Sequence, residues 1–306
     1  MCPPIRTAWA DATCPSYAKF RMTFCIGEIL RLHSKQLQAV LNLESGSARI
    51  EVQCLLQAVL QVDRAYLLTH PNQVLSDKQS ARFSALYERR LNGEPIAYLL
   101  GEREFYGLIF KVTPATLIPR PETELLVDLT LQRIPRQGTC RVLDLGTGSG
   151  AIALSIAHAR HCAEVVAVDA SEAALEVAQF NMQRLALENV RLLQSDWFGA
   201  LKDERFDIIV SNPPYIAADD VHLTQGDVRF EPRIALASGA DGLRDIRRIS
   251  ALAKEHLNVN GWVLFEHGYD QAAQVRALLQ QAGFKEIFSA RDLAGIERVS
   301  GGSCSP

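Results

Sequence analysis

Beyond Thr139 the sequence alternates short apolar runs with longer amphipathic ones, and this alternation narrows the possible folds more than any other feature. "CRVLDL" (140–145), "EVVAVD" (164–169), "VRLLQ" (190–194), "FDIIVS" (206–211), "GWVLFEH" (261–267), "KEIFSA" (285–290) and "ERVSG" (297–301) read as strands. Helices are expected over 151–159, 172–187 with Ser171 as N-cap, about 243–257, and 271–282. Strands alternating with helices imply a parallel, doubly wound sheet covered on both faces. In such a sheet ligands bind beyond the carboxyl ends of the strands, so the residues just after each strand carry the functional information.

The rest of the chain reads differently. Residues 1–21 hold three prolines and are expected to form a disordered lead, with Met22 opening the first helical pattern. From Met22 to Asn92 the period is helical. Ile26, Ile29, Leu30, Leu37, Val40 and Leu41 share a face, a second apolar run covers 50–60, and Ser76 with Gln79 has capping-box spacing ahead of a third helix. "EFYGLIFKV" (104–112) reads as a hairpin turning at Gly107. The 306 residues carry a net charge of −3. That balance speaks against a nucleic-acid binder, which needs lysine and arginine for phosphate. Arg89-Arg90 and Arg244 with Arg247-Arg248 read as solvated helix faces. Seven cysteines without a CxxC pair argue against a disulfide framework and against structural zinc. No run is apolar enough to span a bilayer, and no signal-peptide core is present, so a cytoplasmic protein is expected.

Three corners point at one cleft. After the first strand comes "DLGTGSGAIAL" (144–154). Gly146, Gly148 and Gly150 let the backbone turn sharply and let a ligand approach, and the following helix offers free N–H groups. The run also satisfies G-x-G-x-x-A, so it leaves two cofactors open: a nicotinamide or flavin dinucleotide, or S-adenosylmethionine. Asp169, closing the second strand, is placed to accept from both ribose hydroxyls of either cofactor. After the third strand, Asp196 can accept from an adenine amino group and Trp197 can pack beside the ring.

The fourth strand ends in "NPPYI" (212–216). Two prolines stop the ladder with a rigid corner. The Asn212 side-chain carbonyl and the Pro213 backbone carbonyl are two acceptors that together can take both hydrogens of an –NH2 group. Tyr215 offers a flat face for a planar group. Such a nitrogen is a weak nucleophile because its lone pair is delocalised, and holding both hydrogens aims that lone pair at an electrophilic methyl. A hydride-transfer site does not call for this corner.

These corners resemble class I S-adenosylmethionine-dependent methyltransferases that act on amino nitrogens. "GEPIAYLLG" (93–101), "LIPRPETE" (117–124), "DLGTGSGAIAL", "NPPYI" and "EPRIALASGADGL" (231–243), in that order, resemble the PrmC/HemK family, the release-factor glutamine N5-methyltransferases. The resemblance implies an α/β fold: a Rossmann-like, doubly wound, mostly parallel seven-stranded sheet with a small N-terminal helical bundle. The expected domains are the lead (1–21), a substrate-recognising bundle (22–92), a hairpin linker (93–116) and the methyltransferase domain (117–306). By position, Gly146, Thr147, Gly148, Ser149 and Gly150 line the methionine and ribose part of S-adenosyl-L-methionine, Asp169 holds the ribose, and Trp197 flanks the adenine. Asn212 touches cofactor and substrate; Pro213, Pro214 and Tyr215 frame the substrate glutamine. Asn212, Pro213 and Tyr215 are the expected catalytic residues, with no metal.

The implied substrate is the glutamine of the Gly-Gly-Gln motif of a peptide-chain release factor, methylated at N5 by a monomeric enzyme that binds neither membrane nor nucleic acid. A related enzyme that methylates a ribosomal-protein glutamine stands second. Rivals from other classes are a methyltransferase for exocyclic amines of RNA or DNA, a dinucleotide-dependent oxidoreductase, and a binding module without catalysis.

Overall fold

The computed structural model describes residues 24–305. The expected lead and Met22 lie outside the described residues. The chain forms two compact units that part after Tyr87.

In the first unit, α1 (Ile26–Leu41) and α2 (Ser45–Leu60) pack by their apolar stripes. Ile26, Ile29, Leu30 and Leu37 of α1 are buried, as are Val52, Leu55, Leu56 and Val59 of α2. Val40, in the last turn of α1, lies beyond this stripe and is exposed. The short helix α3 (Arg64–Thr69) was not anticipated, because six residues are too few to show a period. Asp63 caps it by accepting the Tyr66 N–H at 2.8 Å. The capping box ahead of α4 (Asp77–Leu91) forms: the Ser76 N–H donates to Gln79 Oε1 at 2.9 Å, and the Gln79 N–H to Ser76 Oγ at 3.4 Å.

The second unit takes in the last residues of α4, from Glu88, and then α5 (Ile96–Leu100) and the hairpin β1 (Glu102–Phe105) and β2 (Leu108–Lys111). Tyr106 and Gly107 both take positive φ, the geometry of a two-residue hairpin turn whose twist matches the strands. Pro121 opens a 3-10 turn that runs into α6 (Glu124–Arg133), a helix the sequence reading passed over.

The remaining elements are β3 (Cys140–Leu145), α7 (Ala151–Ala159), β4 (Ala163–Asp169), α8 (Glu172–Arg184), β5 (Val190–Gln194), β6 (Phe206–Ser211), α9 (Arg244–Ala253), β7 (Leu257–Glu266), α10 (Ala272–Gln281), β8 (Lys285–Arg291) and β9 (Glu297–Ser303). The seven strands order as β5-β4-β3-β6-β7-β9-β8. All pair in parallel except β9, which is antiparallel to both neighbours. This is the expected doubly wound, mostly parallel seven-stranded sheet. α9 stops at Ala253, short of the expected Leu257; a 3-10 turn follows, and β7 starts at Leu257 rather than Gly261.

Strand residues alternate between two cores. Val142, Val165, Ala167, Ile208 and Val210 pack with α6 and α7. Leu143, Leu145, Val166, Val168, Ile209, Val263 and Phe265 pack with α9 and α10.

One buried side chain ties the hairpin to the sheet. Asn181 on α8 is fully buried. Its Oδ1 accepts the Lys111 N–H at 2.7 Å, and its Nδ2 donates to Lys111 O at 3.0 Å and to Ser149 O at 2.8 Å. It therefore completes the open edge of β2 and anchors the glycine loop at once. Each buried polar group left unsatisfied costs about 1–3 kcal/mol. Asn181→Ala strands the buried Ser149 carbonyl and both part-buried Lys111 groups, so urea titration is expected to show a loss of about 2 kcal/mol or more. A loss within the range of an ordinary surface change would refute this role for Asn181.

Candidate active site

The sheet register brings the corners together. Leu145, the last residue of β3, pairs with Val168 of β4 on one side and Ser211 of β6 on the other. The glycine loop, Asp169 and Asn212 thus leave three adjacent strands at one level. β3 is also where the strand order reverses direction, the usual place for a ligand crevice. Side-chain and backbone bonds lock the exits. Ser211 Oγ donates to Leu145 O at 2.7 Å, and the N–H groups of Gly146 and Thr147 both donate to Val168 O at 2.9 Å.

A cavity of about 470 Å³ opens at this level. Gly146, Thr147, Gly148, Ser149, Asp169, Asp196, Trp197, Asn212 and Pro214 line it. Gly150, Pro213 and Tyr215 do not. Gly150 serves packing: with φ of +84°, its α-carbon faces Leu154 and Ala178, and an added Cβ would lie 2.9 Å from Leu154 Cδ1. Gly148, also left-handed, has open space where a side chain would be.

The acids differ in their surroundings. Asp169 accepts the Gly148 N–H at 2.8 Å and the Ser171 N–H at 2.9 Å, one on each oxygen. Burial pushes its carboxyl above the usual range, and those N–H groups oppose the shift. Each oxygen keeps a lone pair for a ligand hydroxyl. Asp144, wholly buried beneath the loop, is pushed up to about 7 by burial, against the opposing bond from Thr147 Oγ1 at 2.6 Å. Asp196, the expected adenine acceptor, lines the same cavity but is already paired. Both its oxygens take the Arg248 guanidinium, at 2.9 and 2.8 Å, in an exposed bidentate pair on the cavity rim.

Trp197 holds φ of +53°, a strained conformation for a bulky residue. Ser195 over-determines it: Ser195 Oγ donates to Trp197 O at 2.8 Å and accepts the Ala200 N–H at 3.0 Å. The ring packs over Gly146, with Cζ3 3.4 Å from where a side chain there would begin.

Asn212 donates from Nδ2 to Thr123 Oγ1 at 3.3 Å. Among the described residues no donor reaches Asn212 Oδ1 or the Pro213 carbonyl, so both acceptors are free of protein partners. Thr123 comes from "LIPRPETE", and sequence reasoning did not single it out. The same segment is held by Glu231 of "EPRIALASGADGL", which accepts the Ile118 N–H at 3.0 Å and pairs with Arg120. The chain after Glu231 then runs beside the proline corner. Ile216 N–H donates to Leu236 O, and Ser238 N–H returns to Ile216 O, both at 2.9 Å.

Behind the corner, Gln271 Nε2 donates to Tyr215 O at 2.9 Å while its Oε1 accepts the Gly268 N–H. Gly242, at φ of +72°, passes so close that an added Cβ would lie 2.2 Å from Tyr215 O. Gly101, left-handed at φ of +76°, has open space around the same position. An alanine at either site suffers a positive-φ strain of about 1 kcal/mol. Gly242→Ala is expected to be clearly less stable than Gly101→Ala in urea unfolding, because only it must also displace the Tyr215 backbone. Equal losses would refute the close-approach account.

Known proteins share both the sequence and the fold. A family model described as "PrmC N-terminal domain" matches residues 28–101, and one described as "Methyltransferase small domain" matches residues 122–230. The release factor glutamine methyltransferase of Bordetella pertussis is 52% identical over 260 residues, which is 85% of this chain and 96% of that protein. The release factor glutamine methyltransferase of Salmonella typhimurium is 48% identical over 263 residues, 86% of this chain and 95% of that protein. A solved methyltransferase from Pyrococcus furiosus shares the fold, with a TM-score of 0.51 at 21% identity, covering 73% of this chain and 100% of that one. At this level of identity over nearly the full length of its relatives, the chain belongs to the release factor glutamine methyltransferase family.

Proposed function

We propose that this protein transfers a methyl group from S-adenosyl-L-methionine to the side-chain N5 of the glutamine in the Gly-Gly-Gln motif of peptide-chain release factors. Family membership decides between the two cofactors that the glycine loop left open, in favour of S-adenosyl-L-methionine. The residues present fit it. Asp169 keeps a free lone pair on each oxygen for the ribose hydroxyls, Gly148 leaves its side of the loop open, and Trp197 walls the adenine end. Thr147 and Ser149 complete the loop, and Asp196 reaches the adenine edge while paired with Arg248.

When bound, this cofactor supplies a methyl already activated by its sulfonium. What remains for the chain is to orient the nitrogen that accepts it. The observation that carries the proposal is the pair of unclaimed acceptors, Asn212 Oδ1 and Pro213 O, on a corner that two prolines make rigid. They take the two amide hydrogens of the glutamine and turn its lone pair toward the glycine loop. Pro214 lines the cavity, and Tyr215, half-buried, stands just outside its lining with its hydroxyl 3.5 Å from Glu266 Oε1. Orientation of this kind supplies effective molarities of about 10⁵–10⁸ M. No histidine lines the cavity; once methylated, the nitrogen is acidic enough to lose its proton to water.

The helical bundle of residues 22–92 is assigned the grip on the release factor, residues 93–116 the link, and residues 117–306 the chemistry. The three arginines of α9, read from the sequence as a solvated helix face, are each paired: Arg244 with Asp245, Arg247 with Asp241, Arg248 with Asp196. That pairing supports a protein substrate over a phosphate backbone. A monomer acting in the cytoplasm completes the reading; no described helix is long and apolar enough to cross a membrane.

Two measurements test this. Intact mass of a release factor incubated with this protein and S-adenosyl-L-methionine is expected to rise by one methyl, and not to rise when the Gly-Gly-Gln glutamine is replaced. No rise on a folded release factor would sink the substrate assignment and turn attention to ribosomal-protein glutamine. Asn212→Ala is expected to lower kcat roughly 10²-fold, the typical effect of removing one pre-aimed polar group, with little change in cofactor affinity. Equal losses in both would make Asn212 chiefly a cofactor ligand.

A further inference from the structure

α9 carries three arginines, and their pairings differ. Arg244 bonds Asp245, the next residue, and Arg247 bonds Asp241, six residues back, each through one nitrogen. Arg248 reaches 52 residues back to Asp196, in the loop after β5, and bonds it through two: Nη1 donates to Oδ1 at 2.9 Å and Nη2 to Oδ2 at 2.8 Å. The first two pairs join near neighbours in the chain. The third exists only because the fold sets α9 across from the end of β5, on the rim of the cavity that both side chains line.

Asp196 is held from two sides. Its carbonyl accepts the Gly199 N–H at 3.1 Å, which fixes the backbone turn, and the fork fixes its carboxylate. Gln194, two residues earlier, pairs with Asp169, so the fork stands one strand beyond the ribose acceptor and next to Trp197, at the adenine end of the cavity. As a device for holding the fold together the pair is a poor one. Its side chains are 49% and 64% exposed, and exposed ion pairs contribute little to stability.

A planar fork of this kind uses one lone pair of each carboxylate oxygen and one N–H of each terminal guanidinium nitrogen. Each oxygen keeps a second lone pair and each nitrogen a second N–H. No other described side chain bonds to either group. An acceptor on Asp196 and a donor on Arg248 are therefore left side by side in one plane. The edge of adenine is their complement: its exocyclic amine donates and the ring nitrogen beside it accepts. A 6-keto purine has a carbonyl in place of that amine, which would set oxygen against the Asp196 oxygen.

Building on the S-adenosyl-L-methionine reading, we propose that Arg248 is a specificity-determining residue for the base of the cofactor. With Asp196 it forms one acceptor–donor edge on the cavity rim, which takes the adenine amine and the neighbouring ring nitrogen together. Asp196 alone would supply only the acceptor, on a carboxylate free to turn to solvent. Arg248 both aims that acceptor and adds the donor. Lysine cannot replace it, because an ammonium is a point charge without a planar fork.

The test is calorimetric binding of S-adenosylhomocysteine and of its 6-keto analogue, S-inosylhomocysteine, to wild type, Arg248→Ala and Arg248→Lys, with urea unfolding of each. Wild type is expected to prefer the adenine compound by about tenfold or more, the discrimination of one doubly paired edge. Both variants should lose most of that preference, through weaker binding of the adenine compound, while keeping the wild-type urea midpoint. A wild type without the preference, or a preference that survives in Arg248→Ala, overturns the proposal. So does a preference lost in Arg248→Ala but whole in Arg248→Lys, because charge alone would then suffice. A wild type that binds neither compound overturns instead the cofactor reading on which the proposal rests.

Discussion

The carboxylate of Glu231 has no solvent exposure, and its partners come from a single short loop. One oxygen takes the Ile118 N–H and the other the Arg120 guanidinium. Burial alone would favour the neutral acid, and Arg120 opposes that. A buried charge with one partner removed is strongly destabilising, so loop and carboxylate hold each other in place. Everything at the reaction corner follows from this clamp. It fixes Ala115, Thr116, Leu117 and Pro119 as a wall of the cavity and sets Thr123 beside Asn212. It also starts the strand-like run that hydrogen-bonds to Ile216 on the far side of the prolines.

Around that clamp the sheet does a simpler task. Parallel register between β4, β3 and β6 delivers three loops to one level, and the two apolar faces keep the strands from slipping. The loops are then fixed by short bonds rather than by long side chains. Thr147, Ser195, Ser211, Gln271 and Asn181 each spend their polar atoms on backbone or on a neighbouring carboxylate. The cavity is consequently built largely from backbone and small side chains, which have little rotamer freedom left to lose.

How much of this could be read from the chain alone depended on range. The glycine loop, Asp169 and the proline corner are legible because glycine, a strand-end acid and paired prolines act within a few residues of themselves. The same holds for the seven strands, whose apolar runs are bounded by turns. The clamp was not legible: Arg120 and Glu231 are 111 residues apart, and Thr123 and Asn212 are 89 apart. Nothing local marks such partners in one sequence, although their segments stood out by resemblance. The partner of Asp196 was hidden for the same reason. Its position after a strand is right for a ligand contact, yet Arg248, 52 residues on, takes both oxygens. The helix α6 had a local signal that was passed over: Pro121 at the first position of a turn, a common helix start, leading into an apolar run.

The proline corner has one more consequence, in the dimension of length. Its two free acceptors sit on a backbone that neither Gln271 nor Gly242 allows to retreat. A fixed acceptor pair works as a gauge against whatever side chain is pushed toward it. Glutamine and asparagine carry the same amide, but asparagine is one methylene shorter and delivers its nitrogen about 1.5 Å short of the same acceptors. A pliant corner would follow the shorter chain inward and methylate both. On the proposed reading, a corner that stays where it is selects between two chemically alike amides by reach.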